Sequence, residues 1–332
     1  MKRVLTVTFA ATLAAVLCAL TTARLPHNTA LAQSTQGQRH QPVETGEPEV
    51  IEHGMNPRGT VTGYVTAGGT SSLSAISYHG GQLIQTPTAY VIWYGNWNQT
   101  NGTDNASGQQ IIRDFLSSVG GSNYYKINTT YSAGGYNVTG LVTRSPLEAA
   151  PGYSHGTRLA DSDIQLIVKE AISSGALPAD ANGVYFVLTS SDVNERSGFC
   201  TRYCGWHTST SYTQTSNGRL RYSFVGNAAR CLSSCAAQSV GPNGNAGVDG
   251  MISVIAHELE EANTDPDPTS GWADSGGSEN ADKCAWTFGS RQSTASNGAV
   301  YNMTLGTRNF LIQRNLAATD NKCYIDWVNK IQ

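Results

Sequence analysis

The apolar and polar positions divide the chain into three stretches. Val4 to Leu20 is almost unbroken apolar sequence behind Lys2 and Arg3. Residues 33 to about 72 are polar and rich in Gln, Gly, Thr and Pro, with no sustained strand or helix period, which predicts a flexible linker or pro-like segment. From about Ile76 onward short apolar runs alternate with periodic ones. Thr88–Tyr94 and Gly183–Thr189 are continuous apolar runs bounded by turn residues, the pattern of buried strands, and Arg221–Val225 reads as a third. Gln109–Val119 and Ser162–Ser174 repeat apolar residues at helical spacing. Gly247–Asn263 is the strongest helix pattern and ends before Pro266. Residues 301–311 read as strand-like turns. Mixed strands and helices without an internal repeat predict an α+β or α/β domain over residues 73–332, α+β being the class adopted.

The first stretch is built like a secretory signal. A short basic start, an apolar run and Ala30-Leu31-Ala32 before Gln33 predict a leader over residues 1–32. No later segment approaches the ~20 apolar residues of a membrane span, so none is expected after leader cleavage. Composition agrees with export. Only 14% of residues are charged while Gly reaches 35 residues, a polar, weakly charged balance. The net charge of −3, without a basic run, argues against nucleic-acid binding. Hydrophobic residues at 39%, with 6 Trp, are enough for a core and exclude a wholly disordered chain.

Cys18 belongs to the leader, and Cys200, Cys204, Cys231, Cys235, Cys284 and Cys323 remain. In an exported chain these predict up to three disulfides. Cys284 with Cys323 is the expected bridge, the other two joining the two close pairs by elimination. The x3 spacing within each close pair is not that of a zinc ribbon. Asn98, Asn101, Asn105, Asn128, Asn137 and Asn302 each begin an N-x-Ser/Thr triplet, acceptors only in a glycosylating pathway.

The chemistry concentrates in His257-Glu258-Leu259-Glu260-Glu261, an H-E-x-x-E variant of the zinc-helix motif. Residues i and i+4 share a helix face, so His257 and Glu261 can hold one metal ion. Glu258 then stands where a general base toward a polarised water belongs. A third ligand is required. Glu279 and Asp267 both lie at spacings that supply one, and Asp265 and Asp282 are further oxygens. Asp282 also suits a supporting bond to His257. Zn is the first metal implied, with Ca or Mn open because a Glu replaces the usual second His. Val248, Met251, Ile252, Ile255, Leu259 and Ala262 form the apolar stripe of this helix. The opposite face, with Gly250, Ser253, His257, Glu260 and Glu261, must line a cleft if it binds metal and is otherwise a solvated face. His79 reads as a turn histidine satisfied by backbone, and His207, among cysteines, as structural. Trp93, Tyr94, Trp97 and Trp272 are core residues or sugar-stacking faces. There is no G-x-S-x-G elbow, P-loop or dinucleotide fingerprint.

Several blocks occur together and in order. They are Tyr78-His79-Gly80-Gly81, Val91-Ile92-Trp93-Tyr94-Gly95-Asn96-Trp97, Ser197-Gly198-Phe199-Cys200, Cys204-Gly205-Trp206-His207, and Val225-Gly226-Asn227. Gly247-Val248-Asp249-Gly250-Met251, Ile255-Ala256-His257-Glu258-Leu259, Glu279-Asn280-Ala281-Asp282-Lys283-Cys284, Tyr301-Asn302-Met303 and Arg308-Asn309-Phe310-Leu311 follow. This succession, over roughly residues 76–327, resembles the EXORDIUM, or phosphate-induced, protein family of plant cell walls. The resemblance implies a secreted, wall-associated protein linked to growth and nutrient responses, and no settled reaction. The family's H-E-L-x-E and E-I-A-D-x-C stretches map onto His257, Glu258, Glu261, Glu279, Asp282 and Cys284, which favours Glu279 over Asp267. The chain departs from the plant pattern at Thr264-Asp265-Pro266-Asp267 and in a shorter Gly-rich stretch after Cys284, and its leader and linker are bacterial in style.

The expectation is thus a secreted α+β domain with disulfides and a zincin-like core around the H-E-x-x-E helix. His257, Glu261 and Glu279 are the expected metal ligands and Glu258 the expected catalytic base for hydrolysis of a peptide or amide bond. The rival expectation is a non-catalytic extracellular protein that binds cell-wall glycans or a surface partner.

Overall fold

The computed structural model describes residues 55–58 and 74–332. The predicted leader and most of the predicted linker lie outside the described residues. The two apolar runs form strands β1 (Thr88–Tyr94) and, further on, β3 (Gly183–Thr189). They pair in parallel over their whole length, from Thr88 opposite Gly183 to Tyr94 opposite Thr189. Central strands covered on both faces read as unbroken apolar sequence, and these do.

Around this pair the sheet is completed by β2 (Thr143–Gly152), β4 (Gly205–Ser211) and β5 (Arg219–Gly226). The spatial order is β2-β1-β3-β5-β4. All neighbours are parallel except β4, which runs antiparallel to β5 at the edge. β2 carries Pro146 and Pro151 and has two register shifts against β1. A strand with prolines belongs at an edge, where one row of amides needs no partner.

Three helices follow the predicted spans closely: α1 (Ala106–Ser118), α2 (Asp161–Ser173) and α3 (Ala246–Thr264). Asn105 caps α1 by accepting from the Gly108 amide at 2.9 Å, and Asn245 caps α3 by accepting from Val248 at 3.2 Å. Asp265-Pro266 ends α3, since proline disfavours helical backbone in the residue before it. α2 packs on β2, β3 and β5, and α3 packs on β4, β5 and α1.

α3 is buried around nearly its whole circumference, which the sequence pattern did not indicate. Its apolar stripe lies against the sheet. Its polar face is covered by the chain that follows it, a series of short turns and two-residue or three-residue strands from Trp272 to Tyr324. Gln313 binds Ser253 through its backbone, and the Asp282 backbone binds Glu261. The alternative of a solvated polar face is therefore overturned.

Three disulfides fix these connections: Cys200–Cys231, Cys204–Cys235 and Cys284–Cys323. The first two join the close pairs to one another. Such bridges fit an oxidising compartment. Among the described residues no helix is long and apolar enough to cross a membrane. Trp93, Tyr94 and Trp97 are core residues, so they offer no free sugar-stacking face. Four residues of the predicted linker, Met55–Arg58, are held against the domain.

Candidate metal centre

Helical spacing puts His257 and Glu261 side by side, with Nε2 of His257 2.9 Å from Oε1 of Glu261. The short 3-10 turn Asp282–Cys284 is tied to the helix by the Asp282 amide, which donates to Glu261 Oε1 at 3.0 Å. That brings Asp282 Oδ1 to 3.5 Å from His257 Nε2. From the opposite side β4 contributes His207. Its Nδ1 lies 3.5 Å from Glu258 Oε2 and 3.7 Å from Glu261 Oε2, and its Nε2 lies 3.7 Å from Glu279 Oε1. Two triads share Glu261: His207, Glu261 and Glu279, and His257, Glu261 and Asp282, each with ligand atoms within 4.8 Å of one another.

All six side chains are buried. His207 Nδ1, Glu258 Oε2, Glu261 Oε2 and Glu279 Oε1 have no hydrogen-bond partner among the described residues, while His257 Nε2 is paired with Glu261. A buried polar atom without a partner costs about 1–3 kcal/mol, more when charged, so four in one neighbourhood require an explanation. Their separations provide one. Ligand atoms about 2.0–2.2 Å from a tetrahedral metal lie roughly 3.3–3.6 Å apart. By donor type and spacing, each triad could thus hold a divalent cation.

In the absence of a cation, protons balance the charge of the cluster. Burial alone would lower the pKa of both histidines, but the carboxylates facing them outweigh it and raise both well above the ordinary value: chiefly Glu279 with Glu258 and Glu261 for His207, and Glu261 with Asp282 for His257. Burial raises Glu258, Glu279 and Asp282, the last to about 6, against the pull of the imidazoles. Glu261 alone goes down, because burial is overcome by His257 and His207 together. Without a cation the cluster must hold protons to limit its negative charge.

The three acids of the motif have separate environments. Glu261 faces both imidazoles. Glu258 presents Oε2 to His207, while its Oε1 accepts the Met55 amide at 3.3 Å. Glu260 points away, accepts the Tyr124 hydroxyl at 2.9 Å, and is pushed well above the usual carboxylate range by burial. Supporting contacts surround the centre. The Gln313 amide touches His257 Nδ1 at 2.9 Å and Ala281 O at 3.1 Å.

Of the expected ligands, Glu261 falls in both triads, His257 only in the one with Asp282 and Glu279 only in the one with His207, so the three do not form a single ligand set. Asp267 does not join them. It pairs with Arg221 at 2.8 Å and Arg219 at 3.2 Å. Asp265 accepts the Gly271 and Thr269 amides and closes the end of α3. His207 was read as structural, whereas it is part of the cluster. A strand residue some fifty positions before His257 has no fixed motif spacing, and only the pairing of β4 with β5 beside α3 reveals it. His79 contacts the Ala273 carbonyl at 3.1 Å, as a backbone-satisfied turn histidine does.

The family described as "Phosphate-induced protein 1 conserved region" matches residues 76–325 of this chain. The chain belongs to the phosphate-induced protein 1 family. It is 32% identical to Protein EXORDIUM-like 3 of Arabidopsis thaliana over 282 residues, which covers 74% of this chain and 81% of that protein. It is 30% identical to Protein EXORDIUM-like 5 of the same plant over 318 residues, covering 82% and 84%. No solved structure matches it. Every residue of the buried cluster lies inside the family region.

Proposed function

We propose that this family member is an extracellular protein built on a zincin-like metal centre that hydrolyses peptide or amide bonds. The cluster around Glu261, with His207 and Glu279 on one side and His257 and Asp282 on the other, would hold a divalent cation, with Zn the first choice and Mn or Ca suited by the carboxylates. The observation that carries this reading is a pair of buried ligand triads that share Glu261, with His207 Nδ1, Glu261 Oε2 and Glu279 Oε1 lacking any hydrogen-bond partner among the described residues. Support also comes from the fold around it, a mixed sheet with one antiparallel edge strand and the H-E-x-x-E helix packed beneath that edge.

A bound cation would supply Lewis acidity and a more acidic water. Glu258 is the residue to accept a proton there. It neighbours the cluster without lying in either triad, its Oε2 has no hydrogen-bond partner among the described residues, and burial raises its pKa. Gln313 fixes the His257 ring, and the Asp282 turn fixes Glu261.

Complete burial of the cluster favours a second reading, in which the ion is structural and the protein binds wall glycans or a surface partner without catalysis. Metal analysis by mass spectrometry on wild type, His257→Ala and Glu258→Gln separates these. The hydrolytic reading expects about one equivalent of metal, lost in His257→Ala and kept in Glu258→Gln, with peptide cleavage lost in both. Metal without cleavage in any form leaves the structural reading. No metal after supply of Zn, Mn and Ca sinks both.

A further inference from the structure

The Met55–Arg58 segment is bound as a ligand would be. The Met55 amide donates to Glu258 Oε1 at 3.3 Å, and the Met55 carbonyl accepts from the Cys204 amide at 2.7 Å, immediately before β4. Both backbone groups of one residue are thus taken by the site. The Trp286 indole donates to the Asn56 carbonyl at 2.7 Å. Arg58 is held at both ends, its amide on Ser234 O and its guanidinium on Ala237 O, each at 2.7 Å. The Met55 side chain is wholly buried within the main core cluster. The groove therefore has three walls: Cys204 before the edge strand, the Ser234–Ala237 turn held by the Cys204–Cys235 bridge, and Trp286.

We infer that this groove is a peptide-binding subsite for an extended chain with a large apolar residue, and that Met55–Arg58 is its internal occupant. Main-chain bonds supply affinity and a side-chain pocket supplies selectivity in this mode of recognition. The inference rests on Glu258 being the base of the centre proposed above. An amide N–H on Glu258 Oε1 stands where the nitrogen of a substrate peptide bond would be received. The same contact takes one oxygen of the base and keeps the cluster covered. The form described is then a latent one, and displacing Met55 opens it.

The test uses the full chain carrying Met55→Asp, which puts an unpaired charge into an apolar pocket beside Glu258 and expels the segment. A fluorescent peptide of residues 54–60 is titrated into wild type and variant by anisotropy, and metal is measured on the same samples. The variant is expected to bind the peptide at least tenfold more tightly than wild type. A folded variant that binds no better than wild type overturns the inference. If Met55→Asp does not fold, hydrogen exchange at the Cys204 amide decides. It should quicken at least tenfold in Trp286→Phe, and an unchanged rate overturns the inference. Peptide binding by a metal-free protein keeps the subsite and sinks the hydrolytic reading. A metal-loaded protein without peptide binding sinks the subsite alone.

Discussion

His207 and Asp265 fix each other's chemistry: Nε2 of the imidazole lies 3.1 Å from the Asp265 backbone oxygen. A carbonyl oxygen only accepts, so that nitrogen carries the proton in the neutral ring. Nδ1 is then a lone pair, and it faces the unpartnered oxygens of Glu258 and Glu261. A cation between them, or a second proton on Nδ1, relieves the repulsion, and the raised pKa of His207 is the protonated form of that answer. The neutral ring has the tautomer and the supporting bond a metal-binding histidine needs. His207→Ala should therefore weaken metal binding by about 100-fold or more, beyond what loss of a supporting contact costs. His79→Ala, at a distant turn, should leave the affinity unchanged. Competition with a chromophoric chelator measures both, and equal affinities would remove His207 from the site.

Asp267 and Glu279 stood as alternatives in the sequence, and their surroundings separate them. Asp267 is held below the usual carboxylate range, burial being outweighed by the Arg221 and Arg219 guanidiniums. Arg221 is only 3% exposed. Asp267→Asn should leave metal stoichiometry intact and cost about 3 kcal/mol, because it strands a buried guanidinium. Glu279→Gln should do the reverse in metal binding, lowering affinity at least tenfold. Denaturant unfolding and metal analysis on the two variants form the check. Metal loss in Asp267→Asn with Glu279→Gln unaffected would exchange their roles.

The strands β1 and β3 were legible because parallel strands covered on both faces must be apolar throughout. The three helices were legible from their periodicity, to within a few residues at each end. β4 was not, since Gly205-Trp206-His207-Thr208-Ser209-Thr210-Ser211 is largely polar and owes its burial to α3 packed against it. β2 was hidden by its two prolines. The same cause hid half of the site. His257 and Glu261 share a helix, so their spacing gives them away. His207 reaches them only through the sheet, and the cover over the polar face of α3 comes from turns beyond residue 272.

A carboxylate pair away from the cluster around Glu261 makes stability depend on pH. Asp161 begins α2, accepts the Ser197 hydroxyl at 2.6 Å and lies near Glu195, itself bonded to Tyr203. Burial first, and then the Glu195 charge, raise its pKa from 3.8 to about 6. A carboxyl with a folded pKa above its unfolded one binds its proton more tightly when folded. Its contribution is therefore complete below pH 3.8 and lost as pH rises through about 6. Asp161→Asn keeps the neutral form at every pH. The fall in Tm of the wild type across that window should be shallower in the variant, measured by thermal unfolding at steps between. A variant that retains the full slope would place the titration elsewhere.

Close approach of β4 to α3 is what lets His207 meet Glu261, and Gly205 permits it. A Cβ built there would lie 2.6 Å from Val254 Cγ1, 2.9 Å from the Phe224 carbonyl and 3.2 Å from Glu258 Oε1. The Phe224 carbonyl belongs to β5 and cannot yield without breaking the sheet, so the helix must move. Gly205→Ala should cost about 1–3 kcal/mol as an overpacked core does. It should also weaken metal binding, because moving α3 outward widens the gap between His207 on β4 and the carboxylates of Glu258 and Glu261. Gly218 is the control. It has φ of +72° with nothing within 4 Å of an added Cβ, so Gly218→Ala bears only the left-handed backbone cost of about 1–2 kcal/mol. Both variants should lose comparable stability, yet only Gly205→Ala should lose metal affinity. Chemical denaturation paired with chelator competition reads the two effects separately, and equal metal affinities in the two variants would show that strand and helix do not need this spacing to form the site.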